Sequence, residues 1–269
     1  MKLCVVGGGK MAEALVGGLI ATRWAQADEI GIIEVVAERR AYLAKTFPGA
    51  KIVESCLAAC ESTEFDVSDV LVAVKPQHVA EVALELGGGG ATRVLSIAAG
   101  VRIDALLDGF GSQARVIRAM PNTPALVGQG AAAIAASATA DDQDLAWATE
   151  ILSAVGMVRV VAEPDLDAVT GLSGSGPAYI FLLAEAMIAA GIEQGLSPEV
   201  ADALGRQTVL GAATLLAESS ESPVQLRRNV TSPGGTTAAA ITSMQDNEIE
   251  KIVAQGIAAA VARSVELGG

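Results

Sequence analysis

Residues 2 to 22 read KLCVVGGGKMAEALVGGLIAT. A short apolar run leads into Gly7, Gly9 and Ala12 in GxGxxA spacing, and apolar residues then recur at helical period through Ile20. In a strand–turn–helix unit the first glycine permits the tight turn and the second lets the backbone approach a pyrophosphate. The third small residue lets helix and strand pack closely. Such spacing also occurs in plain glycine turns, but its place directly between a strand and an amphipathic helix favours a dinucleotide. The chain therefore starts as a doubly wound sheet.

The rest of the first half keeps to that plan. A second strand is expected over Glu29 to Val36, with Glu34 about 20 residues past the glycine turn, where an acid accepts from adenosine ribose hydroxyls and favours NAD. Arg39 and Arg40 follow closely enough for either guanidinium to reach a 2′-phosphate, so the cofactor choice stays open between NADH and NADPH. Further strands are expected over Asp69 to Val74, Arg93 to Ile97, Val116 to Met120, Ala131 to Ala136 and Met157 to Val161. Helices are expected over His78 to Leu86 and from near Asp141. Ligands bind outside the carboxyl ends of such strands, and three polar or glycine-bearing turns fall there: Lys75-Pro76-Gln77, Ala98-Ala99-Gly100 and Pro121-Asn122-Thr123-Pro124. His78, the only histidine, reads as a residue at a helix start.

From Asp165 the strand pattern stops. Apolar residues make up 51% of the chain but aromatic ones only 3%, so burial must come from Ala, Val, Leu and Ile on closely packed helices. Asp167 to Tyr179, DAVTGLSGSGPAY, reads as a Ser-Gly turn with Pro177 at a helix start. Ile180 to Ala190 is apolar on nearly every face, with Glu185 its single charge, and a helix of that kind must be covered on all sides. In so small a helical region the cover should come from a second subunit, giving an obligate dimer. Ser197 should cap the next helix, running to about Glu218, and the last helix should start near Asp246.

Before it stands NVTSPGGTTAAAI, Asn229 to Ile241. A Pro-Gly-Gly loop that opens a helix aims free N–H groups and short hydroxyls at one spot, which suits a carboxylate or phosphate, although an ordinary capped helix would look similar. No lysine lies between Lys75 and Lys251, so the helical half offers none near its Gly-rich turn as a general acid and its chemistry should need little acid–base help.

A formal charge of −13 argues against nucleic acid, whose phosphates need Lys and Arg clusters. The uncharged stretch Ala119 to Ala140 approaches the length of a membrane span, but Pro121, Asn122, Pro124, Gly128 and Gly130 break it. The apolar run Leu3 to Val6 is too short for a secretory signal. Three cysteines fit a reducing, cytoplasmic setting and a structural role, and no metal site is expected.

Six motifs in order, VVGGGKMAEAL, AVKPQ at 73 to 77, SIAAG at 96 to 100, RAMPNTPA at 118 to 125, DAVTGLSGSGPAY and NVTSPGGTT at 229 to 237, make the chain resemble pyrroline-5-carboxylate reductases over essentially its full length. The resemblance implies an α/β chain, an N-terminal Rossmann-type doubly wound sheet over 1–162 followed by an all-helical C-terminal dimerisation and substrate-binding domain over 163–269. It implies reduction of a cyclic imine to L-proline with NADPH or NADH, in a homodimer often built further into rings of dimers. Carried over, Gly7, Gly8, Gly9, Lys10 and Met11, with Ala73, Val74, Lys75 and Pro76, would line the dinucleotide, and Ala98 and Ala99 would lie near the nicotinamide. Asn229 would reach the cofactor across the dimer. Ser232, Gly235, Thr236 and Thr237 would hold the substrate carboxylate, and Glu163 would approach the substrate. The Thr237 hydroxyl is the candidate partner of the ring nitrogen. Glu34 departs from the usual pattern, since many relatives carry small or hydroxyl residues there that admit NADP.

Two other readings share these motifs. The same loop would hold the carboxylate of a six-membered piperideine, and a dinucleotide-binding regulator without catalysis would keep the glycine turn. A hydroxyacid dehydrogenase of similar plan would be expected to carry a catalytic lysine early in the helical half, where there is none.

Overall fold

The computed structural model describes residues 1–268, which divide into two compact units, Met1–Ser175 together with 259–268, and Gly176–Ala258. In the first, strands β1 (Leu3–Val6), β2 (Ile30–Ile33), β3 (Lys51–Val53), β4 (Asp69–Val72), β5 (Arg93–Ser96), β6 (Arg115–Met120), β7 (Gly130–Ala136) and β8 (Gly156–Val160) form one eight-stranded sheet in the order β3-β2-β1-β4-β5-β6-β7-β8. The pairs are parallel except β6–β7, which is antiparallel. The strand order reverses between β1 and β4, the switch point where doubly wound sheets bind ligands.

The strands are apolar on both faces because helices cover both. Alternate residues go opposite ways: Val6, Val70, Val72, Val94 and Val116 pack with α3 (Cys56–Glu61), α4 (Val79–Gly88) and α5 (Ile103–Phe110), whereas Leu3, Val5, Leu71, Leu95 and Ile117 pack with α1 (Lys10–Ala21), α2 (Ala37–Thr46) and α6 (Asp142–Ser153). Asp141 caps α6 by accepting from the N–H groups of Gln143 and Asp144, which fixes the start expected there. Cys4, Cys56 and Cys60 are free, and burial pushes the Cys56 thiol up to about 12, in keeping with a packing role.

Three expectations change. The second strand is Ile30–Ile33, shorter than Glu29 to Val36, because Arg40 takes the carbonyls of Glu34 and Val35 and the Glu34 carboxylate takes the Val36 N–H, leaving only the Glu34 N–H on β3. The pair β3 and α3 joins the first unit beyond β2. The segment read as a Ser-Gly turn is helical: α7 (Leu166–Val169) runs into a π-helical turn, Thr170–Gly174, and then into α8 (Gly176–Glu193). Thr170 Oγ1 donates to the Leu166 carbonyl and Ser173 Oγ to that of Val169, so the hydroxyls that suggest a turn are spent inside the helix. Leu166 and Asp167 are buried in the first unit, and for that reason the compact sheet unit continues to Ser175, past residue 162.

The second unit holds α8, α9 (Pro198–Glu218), α10 (Pro223–Asn229), α11 (Thr236–Asp246) and the start of α12 (Ile249–Leu267). Ser197 caps α9 as expected, accepting from the Val200 N–H. α8 packs on α9 so closely that a Cβ on Gly205 would stand 2.6 Å from Ile188 Cγ1. Yet no residue of α8 is buried within the chain, and Phe181 is 67% and Leu182 65% exposed. The stretch Glu163–Glu193 is long and apolar enough to cross a membrane by length and composition, with mean hydropathy 1.5.

Candidate dinucleotide and carboxylate sites

Each of the first three glycines after β1 does something different. Gly7 donates its N–H to the Ile33 carbonyl (2.8 Å) and has φ +92°, and a Cβ there would lie 2.8 Å from the Ala73 carbonyl oxygen. Only glycine fits. At Gly8 a Cβ would come within 2.5 Å of Leu43 Cδ1. At Gly9 nothing stands within 4 Å of the place a Cβ would take, and Gly9 starts α1 with no side chain capping it. Open space in front of an uncapped helix N-terminus is what a pyrophosphate requires, and Ala12, buried at the third small position, lets α1 come close to β1. These residues fit a dinucleotide.

Around the turn lies a side-chain network. Glu34 stands just past β2; its Oε2 accepts from the Gly8 N–H (2.8 Å) and its Oε1 from the Val36 N–H (2.8 Å). Arg40 Nη1 donates to the carbonyls of Glu34 (2.9 Å) and Val35 (2.7 Å). Arg39 Nε donates to the Gly8 carbonyl (2.5 Å) and its Nη2 to Glu13 Oε2 (2.5 Å), while Tyr42 Oη donates to Glu13 Oε1 (2.9 Å). The hydrogen bond from Arg39 is the main reason that the Glu13 carboxyl sits below its usual range.

Three other strand ends line the same edge of the sheet. After β4, Ala73 and Val74 are half-buried, while Lys75 and Pro76 are exposed in a single 3₁₀ turn that also holds His78. After β5, Ala99 is exposed but the Ala98 side chain is in the core, so Ala98 offers only backbone. After β6, Asn122 donates from Nδ2 to the Ser173 carbonyl (3.0 Å) and accepts at Oδ1 from the Ala131 N–H (2.8 Å), tying this turn to the π-helical segment. Glu163 Oε1 accepts from the Ile103 N–H (2.8 Å), at the start of α5, and from Nη1 of the buried Arg118 (3.0 Å). Arg118 lies within the motif RAMPNTPA, but nothing in the sequence pairs it with a residue 45 positions away.

In the second unit Ser232, Gly235, Thr236 and Thr237 come together in one turn. Gly234 has φ +70°, and the Gly235 N–H donates back to the Ser232 carbonyl (3.0 Å). Gly235 then starts α11 without a side-chain cap, leaving the first N–H groups of the helix open to an anion. Ser232 and Thr236 are exposed and Thr237 is half-buried in the first turn. Asn229, at the end of α10, is held by Gln225 and Glu221, its Nδ2 donating to Glu221 Oε2 (2.8 Å) and its Oδ1 accepting from Gln225 Nε2 (2.8 Å).

A doubly wound sheet with an open glycine turn at its switch point, in a chain whose other unit is helical and carries an anion-ready loop, defines a nicotinamide-dinucleotide oxidoreductase. Residues 2–100 match the family described as "NADP oxidoreductase coenzyme F420-dependent" and residues 163–267 the family "Pyrroline-5-carboxylate reductase dimerisation". The chain is 44% identical to the pyrroline-5-carboxylate reductase of a Synechocystis species, over 100% of this chain and 98% of that one. A solved pyrroline-5-carboxylate reductase from Coxiella burnetii superposes with TM-score 0.91 at 36% identity, covering 100% of this chain and 98% of that one. The Plasmodium falciparum enzyme, solved with NADP bound, superposes with TM-score 0.85 at 27% identity, over 100% and 98% of the two chains. The chain belongs to the pyrroline-5-carboxylate reductase family. Its reaction is the reduction of L-1-pyrroline-5-carboxylate to L-proline by hydride transfer from NADPH or NADH, the last step of proline biosynthesis.

Proposed function

We propose that the residues singled out above divide the work of this reaction between a dinucleotide site and a carboxylate site. Gly7 to Met11, Glu34, Ala73 to Pro76 and the backbone of Ala98 and Ala99 bind the dinucleotide, with Asn229 as a further contact. Ser232, Gly235, Thr236 and Thr237 bind the substrate carboxylate at the start of α11. Glu163 acts on the site from behind, by holding Arg118 and the first turn of α5. The observation that carries the reading is the uncapped N-terminus of α11 behind Ser-Pro-Gly-Gly, an anion site with Thr237 in its first turn.

When bound, the reduced nicotinamide supplies the hydride. A protonated cyclic imine is already an electrophile, so the protein's own task is to fix the ring by its carboxylate and orient the C=N carbon. The Thr237 hydroxyl oxygen accepts from the N–H of the protonated ring nitrogen and sets the tilt of the ring; no lysine is required. Thr237→Ala should lower kcat by about tenfold to a hundredfold with the assembly unchanged by sedimentation. Unaltered steady-state kinetics would remove Thr237 from the site.

The functional unit is a homodimer in the cytoplasm, in which a second copy covers α8. Support for that cover over a bilayer comes from the helix itself. Its forerunner α7 is buried against the sheet, Thr170, Ser173 and Ser175 interrupt the apolar run, and Glu185 sits midway along α8. The family description for residues 163–267 names dimerisation. Sedimentation in detergent-free buffer is expected to give a dimer or a multiple of it; a monomer, or a protein that needs detergent, would overturn this.

A further inference from the structure

In doubly wound folds the adenosine ribose lies where the second strand ends; a carboxylate there accepts from the 2′-hydroxyl, whereas a 2′-phosphate needs a free cation. Glu34 is at that end of β2, aimed by two N–H groups from Gly8 and Val36, and its oxygens keep lone pairs for a hydroxyl. The two guanidiniums nearest it are committed elsewhere. Arg40 donates to two carbonyls. Arg39 is drawn onto the Gly8 carbonyl and paired with Glu13, with both side chains only about one-fifth exposed. Lys10, on the first turn of α1, leans on the same Glu13 carboxylate (3.4 Å), and Tyr42 donates to it as well. A dianionic 2′-phosphate arriving here meets a fixed negative charge and no uncommitted guanidinium.

Resting on the dinucleotide assignment above, we propose that this chain selects NADH over NADPH with two carboxylates. Glu34 takes the ribose hydroxyl and repels a 2′-phosphate, and Glu13, on a different helix, holds Arg39 away from it. The Glu13 carboxylate bonds Arg39 and Tyr42 while only its backbone N–H reaches the glycine turn, at the Gly9 carbonyl (2.9 Å), so its side chain determines specificity through Arg39. The Gly8 bond gives Glu34 a second task, since the carboxylate that chooses the cofactor also braces the turn that binds it.

Calorimetric titration of the purified protein with NADH and with NADPH tests this, beside Glu34→Gln and Glu13→Gln checked for an unchanged thermal melt. The wild type should bind NADH at least about tenfold more tightly. Glu34→Gln keeps the shape without the charge and should narrow that ratio by about fivefold or more. Glu13→Gln should tighten NADPH with a smaller effect on NADH. Equal or tighter binding of NADPH by the wild type, or a ratio unmoved in both folded variants, would overturn the proposal. If Glu34→Gln fails to fold, Glu13→Gln decides alone. Proline formation measured with both cofactors separates the two levels: turnover with either keeps the reaction whatever the ratio, while dinucleotide binding without turnover removes the carboxylate-site assignment and leaves the ratio standing.

Discussion

Gly7 and Gly9 are both small for a reason, and the reasons differ. At Gly7 a side chain collides with the Ala73 backbone and the positive φ penalises it further, so Gly7→Ala should cost about 1–3 kcal/mol of stability as well as dinucleotide binding. At Gly9 a methyl group meets nothing, so Gly9→Ala should leave the melting temperature where it is and still weaken dinucleotide binding, by filling the space in front of α1. Thermal melts beside titrations would show whether the two effects separate in this way. The Glu163 carboxylate is a third kind of residue, engaged on one side by the nearly buried Arg118 and on the other by a helix N–H. Glu163→Gln keeps an acceptor but leaves Arg118 without its counter-charge, and since Glu163 is itself about one-quarter exposed the expected loss in urea denaturation is about 1–3 kcal/mol, below that of a fully buried pair.

Among the elements, the strands buried on both faces and the capped helices α6 and α9 were legible in the sequence, because an apolar run or a Ser or Asp at a boundary acts locally, whereas the short capped helices α3 and α10 were not. Ser197 and Asp141 cap α9 and α6 where the sequence places them. β3 was not, being three half-buried residues that earn strand geometry only by pairing with β2. The π-helical turn was not either, since Thr, Ser and Gly favour turns until their hydroxyls bond backward within a helix. The open start of α11 after SPGGTT was legible because it is backbone chemistry, while the contacts of Glu34 with Gly8, of Arg39 with Glu13 and of Glu163 with Ile103 span 26 to 60 residues and no spacing rule reaches them. What pins the π-helical turn is Asn122, which is 9% exposed and bonds Ser173 and Ala131. Asn122→Ala should leave both backbone groups short of a partner, cost about 1–3 kcal/mol and speed amide exchange across residues 170 to 176. Unchanged exchange there would show that the segment holds itself.

For the whole molecule, α8 leaves Ile180, Phe181, Leu182 and Leu183 exposed within the chain, and their cover is the expected second copy. Phe181→Glu should shift sedimentation toward the monomer and, at protein concentrations near the dissociation constant, make activity depend on concentration. The sheet unit also has a long-range closure of its own. Ser264 Oγ, on α12, donates to Asp167 Oδ1 (2.7 Å) where both are buried, and Arg102 Nε donates to the Gly268 carbonyl (3.1 Å). Ser264→Ala should cost the sheet unit about 1–2 kcal/mol, detectable as a lower urea midpoint.

That closure sets an order of events on the ribosome. Residues 176–258 are all translated between the two parts of the sheet unit, a delay on the order of ten seconds at about 5–20 residues per second. During that interval every strand of the sheet has been translated but the turns of α12 that fasten α7 have not, and Asp167 is without Ser264. The sheet unit is therefore finished last, after residues 176–258 have all been made.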